Sequence, residues 1–226
     1  MCDTCGCGER QVDVEVKESL FSKNRALGEK NRRLVEAKGA KLVNLISAPG
    51  SGKTTLLEAT ITHLMPKISI GVIEGDIETE RDAQRIRATG ARAVQITTGG
   101  ACHLDAVLVH KALHTLFEGD SHLDLIFIEN VGNLVCPASF YLGEHLRCIL
   151  VSVPEGSDKP SKYPTTFKDA DVFAITKIDL LPYFDFSIDE AAREARRINP
   201  GIQIVEVSAK TQEGMADWIH ALGMKI

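Results

Sequence analysis

The chain has 226 residues, enough for one compact domain with an extension, and its 44% hydrophobic content excludes wholesale disorder. With 26 Lys and Arg against 31 Asp and Glu the formal charge is −5, which excludes the basic footprint of a general nucleic-acid binder. No apolar run is long enough for a bilayer, and the opening MCDTCGCGER lacks the apolar core of a secretion signal, so a soluble, cytoplasmic chain with no membrane partner is expected.

Residues 1–10 are small, polar and cysteine-rich, and read as a flexible tail. An extension over 11–40 follows. It begins with a short alternating strand at 12–16 and continues as a helix from Ser19 to Lys38, with Leu20, Leu27, Leu34 and Val35 on one face. Gly39 marks the helix stop. From 41 to 226 the rhythm changes. Short apolar runs at 42–46, 68–73, 93–96, 125–128, 148–153, 172–175 and 204–207 alternate with helical patterns at 53–65, 79–89, 104–117, 187–197 and 212–222. Strands apolar on both faces and separated by helices predict an α/β domain with a mainly parallel sheet. The stretch Pro154–Phe167 reads as a long functional loop.

Ser47-Ala48-Pro49-Gly50-Ser51-Gly52-Lys53-Thr54-Thr55 follows the first strand and opens a helix, as a phosphate-binding loop does. Gly50, Ser51 and Gly52 let the backbone curl around phosphate oxygens. Lys53 can neutralise the β- and γ-phosphates, and Thr54 can ligate Mg²⁺. Ser47 stands where the motif has glycine. A glycine-rich turn before a helix is the plain alternative. At later strand ends, Lys177 and Asp179 (in Thr176-Lys177-Ile178-Asp179) and Ser208-Ala209-Lys210 suit a guanine base. A carboxylate at 179 accepts its two edge protons, and the Ala209 N–H reaches its O6. Thr176 replaces the usual Asn. Asp76 and Glu129 end two further strands and are the expected Mg²⁺-side carboxylates, with helix or turn capping as the alternative. Glu129-Asn130-Val131-Gly132 sits where a γ-phosphate sensor belongs. Asn133 occupies the place of a water-positioning Gln and no arginine finger is evident, so slow intrinsic hydrolysis is expected.

Cys102-His103 and Cys136 offer two thiolates and an imidazole for Zn²⁺ or Ni²⁺, with a fourth position left to water or a second chain. Buried thiols and a surface imidazole are the alternative. Cys2, Cys5 and Cys7, with Gly6 and Gly8 between and after them, can wrap one ion, or form a redox-active or inert tail. Cys148 and Trp218 read as packing residues. His145 is near enough to Cys136 in sequence to watch.

These motifs, with Gly75-Asp76-Ile77-Glu78-Thr79 and the run from Glu155 to Pro164, make the sequence resemble the hydrogenase nickel-incorporation GTPases, the HypB-type maturation factors, over nearly its whole length. The resemblance implies a SIMIBI-class P-loop fold using GTP/GDP and Mg²⁺. It also implies a tight nickel site at Cys2, Cys5 and Cys7, and a zinc or nickel site at Cys102, His103 and Cys136 in a GTP-dependent homodimer. The partners it implies are a small HypA-type zinc protein and the large subunit of [NiFe]-hydrogenase. The long His-rich stretch that some relatives use for nickel storage is lacking. Lys159 and Lys162 are candidates to reach across the dimer, or are two solvated charges. Competing readings are a urease-accessory-type GTPase, a small-molecule kinase, and a nickel buffer with a vestigial nucleotide fold. The first carries a Cys-Pro-His motif, unlike the adjacent Cys102 and His103. The second has no use for Asp179, and the third has no use for Lys53.

Overall fold

A computed structural model describes residues 7–65, 67–77, 79–119 and 122–224, with side chains from residue 19 onward. The strands are β1 (Lys41–Ser47), β2 (Ile70–Asp76), β3 (Arg92–Thr97), β4 (Leu125–Glu129), β5 (Leu146–Ser152), β6 (Val172–Thr176) and β7 (Gln203–Val207). The helices are α1 (Cys7–Ala37), α2 (Lys53–Leu64), α3 (Arg81–Ala88), α4 (Ala106–Leu116), α5 (Lys159–Lys162), α6 (Pro164–Lys168), α7 (Ile188–Ile198) and α8 (Met215–Ala221).

All seven strands form one parallel sheet in the order β3-β2-β4-β1-β5-β6-β7. Parallel strands need crossovers, which carry helices onto both faces and bury them. Side-chain alternation divides β1 accordingly. Val43 and Leu45 join Leu56, Leu57, Ile61 and Trp218 on one face. Leu42 packs on the other face with Val35, Val109 and Leu113, and Ile46 packs there with Phe167, Phe173 and Ala191. Trp218 is fully buried and donates from Nε1 to Thr60 Oγ1 at 2.8 Å, and Cys148 is buried in the same core, so both are packing residues. Because β1 lies between β4 and β5, the carboxyl ends of the central strands open a crevice where the winding direction reverses. Open α/β sheets place their ligands there.

Two local expectations are corrected. Residues 12–16, expected as a strand, lie inside α1, which also takes in residues 7–10 of the expected flexible tail. An isolated alternating pentapeptide has no sheet edge to join, whereas the helix that follows it can extend through it. The expected loop at 154–167 is mostly helical, formed by α5 and α6 after a 3₁₀ turn at Val153–Glu155. Its three prolines, Pro154, Pro160 and Pro164, sit in the first turns of these elements, where a missing N–H costs nothing.

α1 packs through a face that carries two polar residues. Asn24 donates to Tyr141 O at 2.9 Å and accepts from Ala106 N at 2.8 Å. Buried Asn31 donates to Ala106 O at 3.0 Å and Leu142 O at 3.1 Å. Gly28 lets the helix approach closely, since a Cβ there would meet Tyr141 at 2.8 Å. Leu20, expected on the apolar face, is exposed. Gly39, at φ +72°, ends the turn beyond α1 as expected.

Candidate functional site

β1 delivers Ser47 to the crevice, and the chain turns through Gly50 (φ +77°) and Gly52 (φ +92°) into α2. Side chains at those two positions would be strained, so glycine is needed for the turn. α2 then starts with Lys53 and Thr54, and its N-terminal N–H groups face the cavity with the positive end of the helix dipole. Lys53 Nζ donates to Ser47 Oγ at 2.8 Å, and the Ser47 and Ser51 hydroxyls are hydrogen-bonded to each other. The serine that departs from the glycine motif thus supplies the acceptor for the lysine. Burial pulls the Lys53 ammonium below its ordinary range, opposed by the charges of Glu129 and Glu74.

The cavity beyond Lys53 measures about 430 Å³ and is acidic on its far wall. Thr54 Oγ1 donates to Glu129 Oε1 at 2.7 Å. Glu74, Asp82 and Glu129 each bring a carboxylate oxygen within 4.8 Å of the others. Glu74 and Glu129 are buried, and each has one oxygen, Oε2, without a hydrogen-bond partner. Burial, together with the negative charge of Glu129, holds the Glu74 carboxyl far above the usual carboxylate range. Orphaned buried oxygens beside a threonine hydroxyl are a hard-oxygen donor set, and a divalent cation such as Mg²⁺ fits it.

Asp76 lines the same cavity, but its carboxylate closes a turn. Oδ1 accepts from Ile77 N at 2.6 Å, and Oδ2 accepts from Thr79 N at 3.1 Å and Thr79 Oγ1 at 2.5 Å. The structure therefore joins Glu129 to Thr54, and groups Glu129 with Glu74 and Asp82 rather than with Asp76. Glu74 does carry a sequence signal, an acid in the middle of a mostly apolar strand. Asp82 had none, nor did Arg85, which lines the cavity and bonds Thr55 Oγ1 at 3.2 Å, Glu58 and Asp82.

A second cavity, of about 230 Å³, adjoins the first through Gly52, Thr55 and Lys177, and is lined further by Asp179, Ala209 and Lys210. Ser208 Oγ donates to Asp179 Oδ1 at 2.7 Å and fixes the carboxylate. Thr176 Oγ1 donates to Ser51 O at 2.7 Å, so the residue in place of the usual Asn still ties this strand end to the phosphate loop. Lys177, at φ +58°, reaches across the loop and donates to Gly50 O at 2.6 Å.

Cys102, His103 and Cys136 come together with their ligand atoms all within 4.8 Å of one another. They are the only group of three or more soft or imidazole donors so placed among the described residues. Cys102 Sγ lies 3.6 Å from His103 Nδ1. Donors about 2.0–2.3 Å from a tetrahedral ion lie about 3.3–3.8 Å apart, so this spacing fits Zn²⁺, and the thiolate–imidazole set also suits Ni²⁺. The His103 ring stacks on Phe140, centroids 3.9 Å apart. Burial lowers the His103 pKa, and contact with Cys102 raises that of Cys136. Asn133 Oδ1 accepts from Val135 N at 2.7 Å and Cys136 N at 3.2 Å, holding the turn that presents the thiol. Cys2 and Cys5 lie outside the described residues, as does the side chain of Cys7. His145 is not part of the cluster: its Nδ1 accepts from Leu42 N at 3.0 Å, and its Nε2 lies 3.4 Å from Glu36. Lys162 pairs with Asp158 at 2.5 Å, and Lys159 lies over the Tyr163 ring, both on α5.

Residues 41–206 match the family model described as CobW/HypB/UreG, nucleotide-binding domain. The chain is 48% identical over 206 residues to the hydrogenase maturation factor HypB of Azotobacter chroococcum mcd 1, an alignment covering 91% of this chain and 67% of that one. It superposes on HypB from Helicobacter pylori in complex with nickel with a TM-score of 0.84 at 40% identity, covering 88% of this chain and 93% of that one. The signal recognition particle receptor FtsY from Elizabethkingia anophelis shares the SIMIBI fold alone, with a TM-score of 0.55 at 11% identity over 89% of this chain and 73% of that one. By model, sequence and structure together, the chain belongs to the HypB family of hydrogenase maturation factors, within the CobW/HypB/UreG group of nucleotide-binding domains.

Proposed function

We propose that this chain is a cytoplasmic, GTP-hydrolysing metallochaperone that binds nickel and assists its insertion into the large subunit of [NiFe]-hydrogenase, with GTP-dependent dimerisation coupled to metal transfer. The observation that carries the reading is the short path from phosphate site to metal site. Glu129, bonded to Thr54, ends β4, and the chain runs on through Asn130 and Asn133 to Cys136.

Guanine selection falls to Asp179, oriented by Ser208, with the Ala209 N–H directed at the base O6 and Lys177 and Lys210 on the cavity wall. Gly50, Ser51, Gly52, Lys53, Thr54 and Thr55 hold the phosphates. Thr54 and Glu129 would hold Mg²⁺ with help from Glu74 or Asp82; Asp76 is the alternative carboxylate. When bound, that ion supplies fixed positive charge for the phosphate oxygens. Hydrolysis joins a water oxygen to the γ-phosphorus and releases GDP through the β–γ bridging oxygen, while Lys53 offsets the charge that builds there. Asn133 is engaged with the backbone of Val135 and Cys136, and this supports a slow intrinsic rate, because the side chain in the water-positioning place is already used.

Three donors at Cys102, His103 and Cys136 leave a tetrahedral position for water or a second copy of the chain, and the exposed Val135 beside Cys136 supports contact there. Nickel is the cargo, and zinc fits the same donors. The Cys2, Cys5 and Cys7 site is a second nickel site in this reading, and a HypA-type zinc/nickel protein is the helper that family membership supports. Moving the segment from Glu129 to Cys136 on GTP binding would change metal affinity, and metal would change GTP affinity by the same factor. The test is nickel and zinc affinity measured with GDP and with a non-hydrolysable GTP analogue, for the intact chain and for its Cys2/Cys5/Cys7→Ala variant. Unequal affinities in the two nucleotide states are expected, and equal ones overturn the coupling.

A further inference from the structure

We infer that His110 and His114, on α4, form a further metal site, a two-imidazole chelate for a borderline divalent cation of the nickel, zinc or copper class. The two residues are one turn apart on one helix face. Their Nε2 atoms lie 3.2 Å apart, and their rings stand nearly perpendicular, at 82° with centroids 4.6 Å apart. Two nitrogens bound at about 2.0–2.1 Å to one ion, at angles between square and tetrahedral, are themselves about 2.9–3.4 Å apart. The observed spacing falls in that interval.

The tautomer of His110 is set by a buried partner. Asn31 is fully buried, and its Nδ2 donates to two carbonyls, Ala106 O and Leu142 O. Its Oδ1 is thereby fixed as an acceptor, and it lies 2.8 Å from His110 Nδ1. That nitrogen carries the proton, so His110 Nε2 presents a lone pair toward His114. An outer hydrogen bond that fixes the tautomer and orientation of a ligating imidazole is the usual support of a histidine metal site. Burial, with His114 and Lys30 nearby, holds the His110 imidazole below its ordinary range and keeps it neutral, as a ligand must be. His114 is exposed, so the remaining coordination positions open to water and the ion exchanges freely.

No residue of this pair belongs to the Cys102, His103 and Cys136 cluster or to the nucleotide cavities. The proposal therefore stands apart from the reading of the chain as a GTPase, and its test uses no nucleotide. The probe is NiCl₂ alone, added to the full chain with Cys2, Cys5, Cys7, Cys102 and Cys136 replaced by Ser, and followed by the imidazole NMR signals. Substoichiometric Ni²⁺ is expected to broaden His110 and His114 before His63, His122 and His220. His114→Ala is expected to weaken that binding by at least about tenfold, and the buried-side variant His110→Gln should do the same with thermal stability checked in parallel. Broadening spread evenly over the exposed histidines, or an affinity indifferent to His114→Ala, would mean that the pair is only a hydrogen bond between two rings and overturns the proposal.

Discussion

The side-chain carbonyl of Asn130 accepts a 3.2 Å hydrogen bond from the backbone N–H of Leu104. Asn130 follows Glu129, which accepts a hydrogen bond from Thr54, and Leu104 follows His103, so this bond ties the Lys53–Thr54 side of the crevice to the loop that presents Cys102 and His103, two of the proposed metal donors. The same oxygen accepts from Val131 N at 3.0 Å, and the Asn130 amide donates to Asn44 Oδ1 at 3.3 Å.

Asn130→Ala removes an acceptor that two backbone N–H groups share in a buried place. A loss of about 1–3 kcal/mol is expected, read as a lower midpoint in urea. The nucleotide dependence proposed for metal affinity at Cys102, His103 and Cys136 should also be lost. A variant that keeps the full difference between GDP and GTP-analogue states would show that the link runs elsewhere.

Lys53→Ala removes one of the two ammonium groups, Lys53 and Lys177, that line the phosphate cavity among the described residues. Turnover of GTP is expected to fall by about 10²–10³-fold, with melting temperature read in parallel, since buried Lys53 bonds the Ser47 hydroxyl and also offsets the charges of Glu129 and Glu74. Retained turnover, measured as phosphate release, would relocate the chemistry. Failure of hydrogenase maturation in cells would separate this chain from a passive nickel buffer.

Asp179→Asn replaces the proposed acceptor of two guanine protons by a group that donates at one of them. GTP affinity should drop by about 10²-fold or more, while xanthosine triphosphate, which carries an oxygen at that edge, should gain. Competition binding with GTP, ATP and XTP reads the outcome. Unchanged preference for GTP would place base selection elsewhere in the cavity.

His145 gives the folded chain a pH dependence with a definite sign. Burial lowers its pKa, as do the charges of Arg32 and Lys41, while Glu36 opposes them. The unfolded chain therefore binds the proton more readily near the ordinary value of 6.5. The stability from neutral His145 is complete above that value and is lost as pH falls through the lower folded pKa. Its Nδ1 accepts from Leu42 N, a bond that a proton on that nitrogen would remove. His145→Gln should flatten the decline in unfolding free energy on going from pH 7 to pH 5. A decline as steep as in the unaltered chain would assign it to other groups.

The layers and the nucleotide loop are legible from the order of residues alone. Apolar runs bounded by turns place all seven strands: the central ones are buried on both faces and read as near-continuous apolar runs, and the edge strands β3 and β7 keep enough apolar positions to be found despite their exposed polar residues. Gly50, Gly52 and Lys53 are legible because few residues tolerate that turn or carry that charge. Relations across long separations become visible once the chain is folded: Thr54 on Glu129, Glu74 and Asp82 beside it, Asn31 behind His110, and Cys136 beside Cys102. Strand order sets those pairings, and periodicity records which way a side chain points but not what it meets. The start of α1 departs from the expected strand for a related reason. A short alternating segment carries both patterns, and only its surroundings select one.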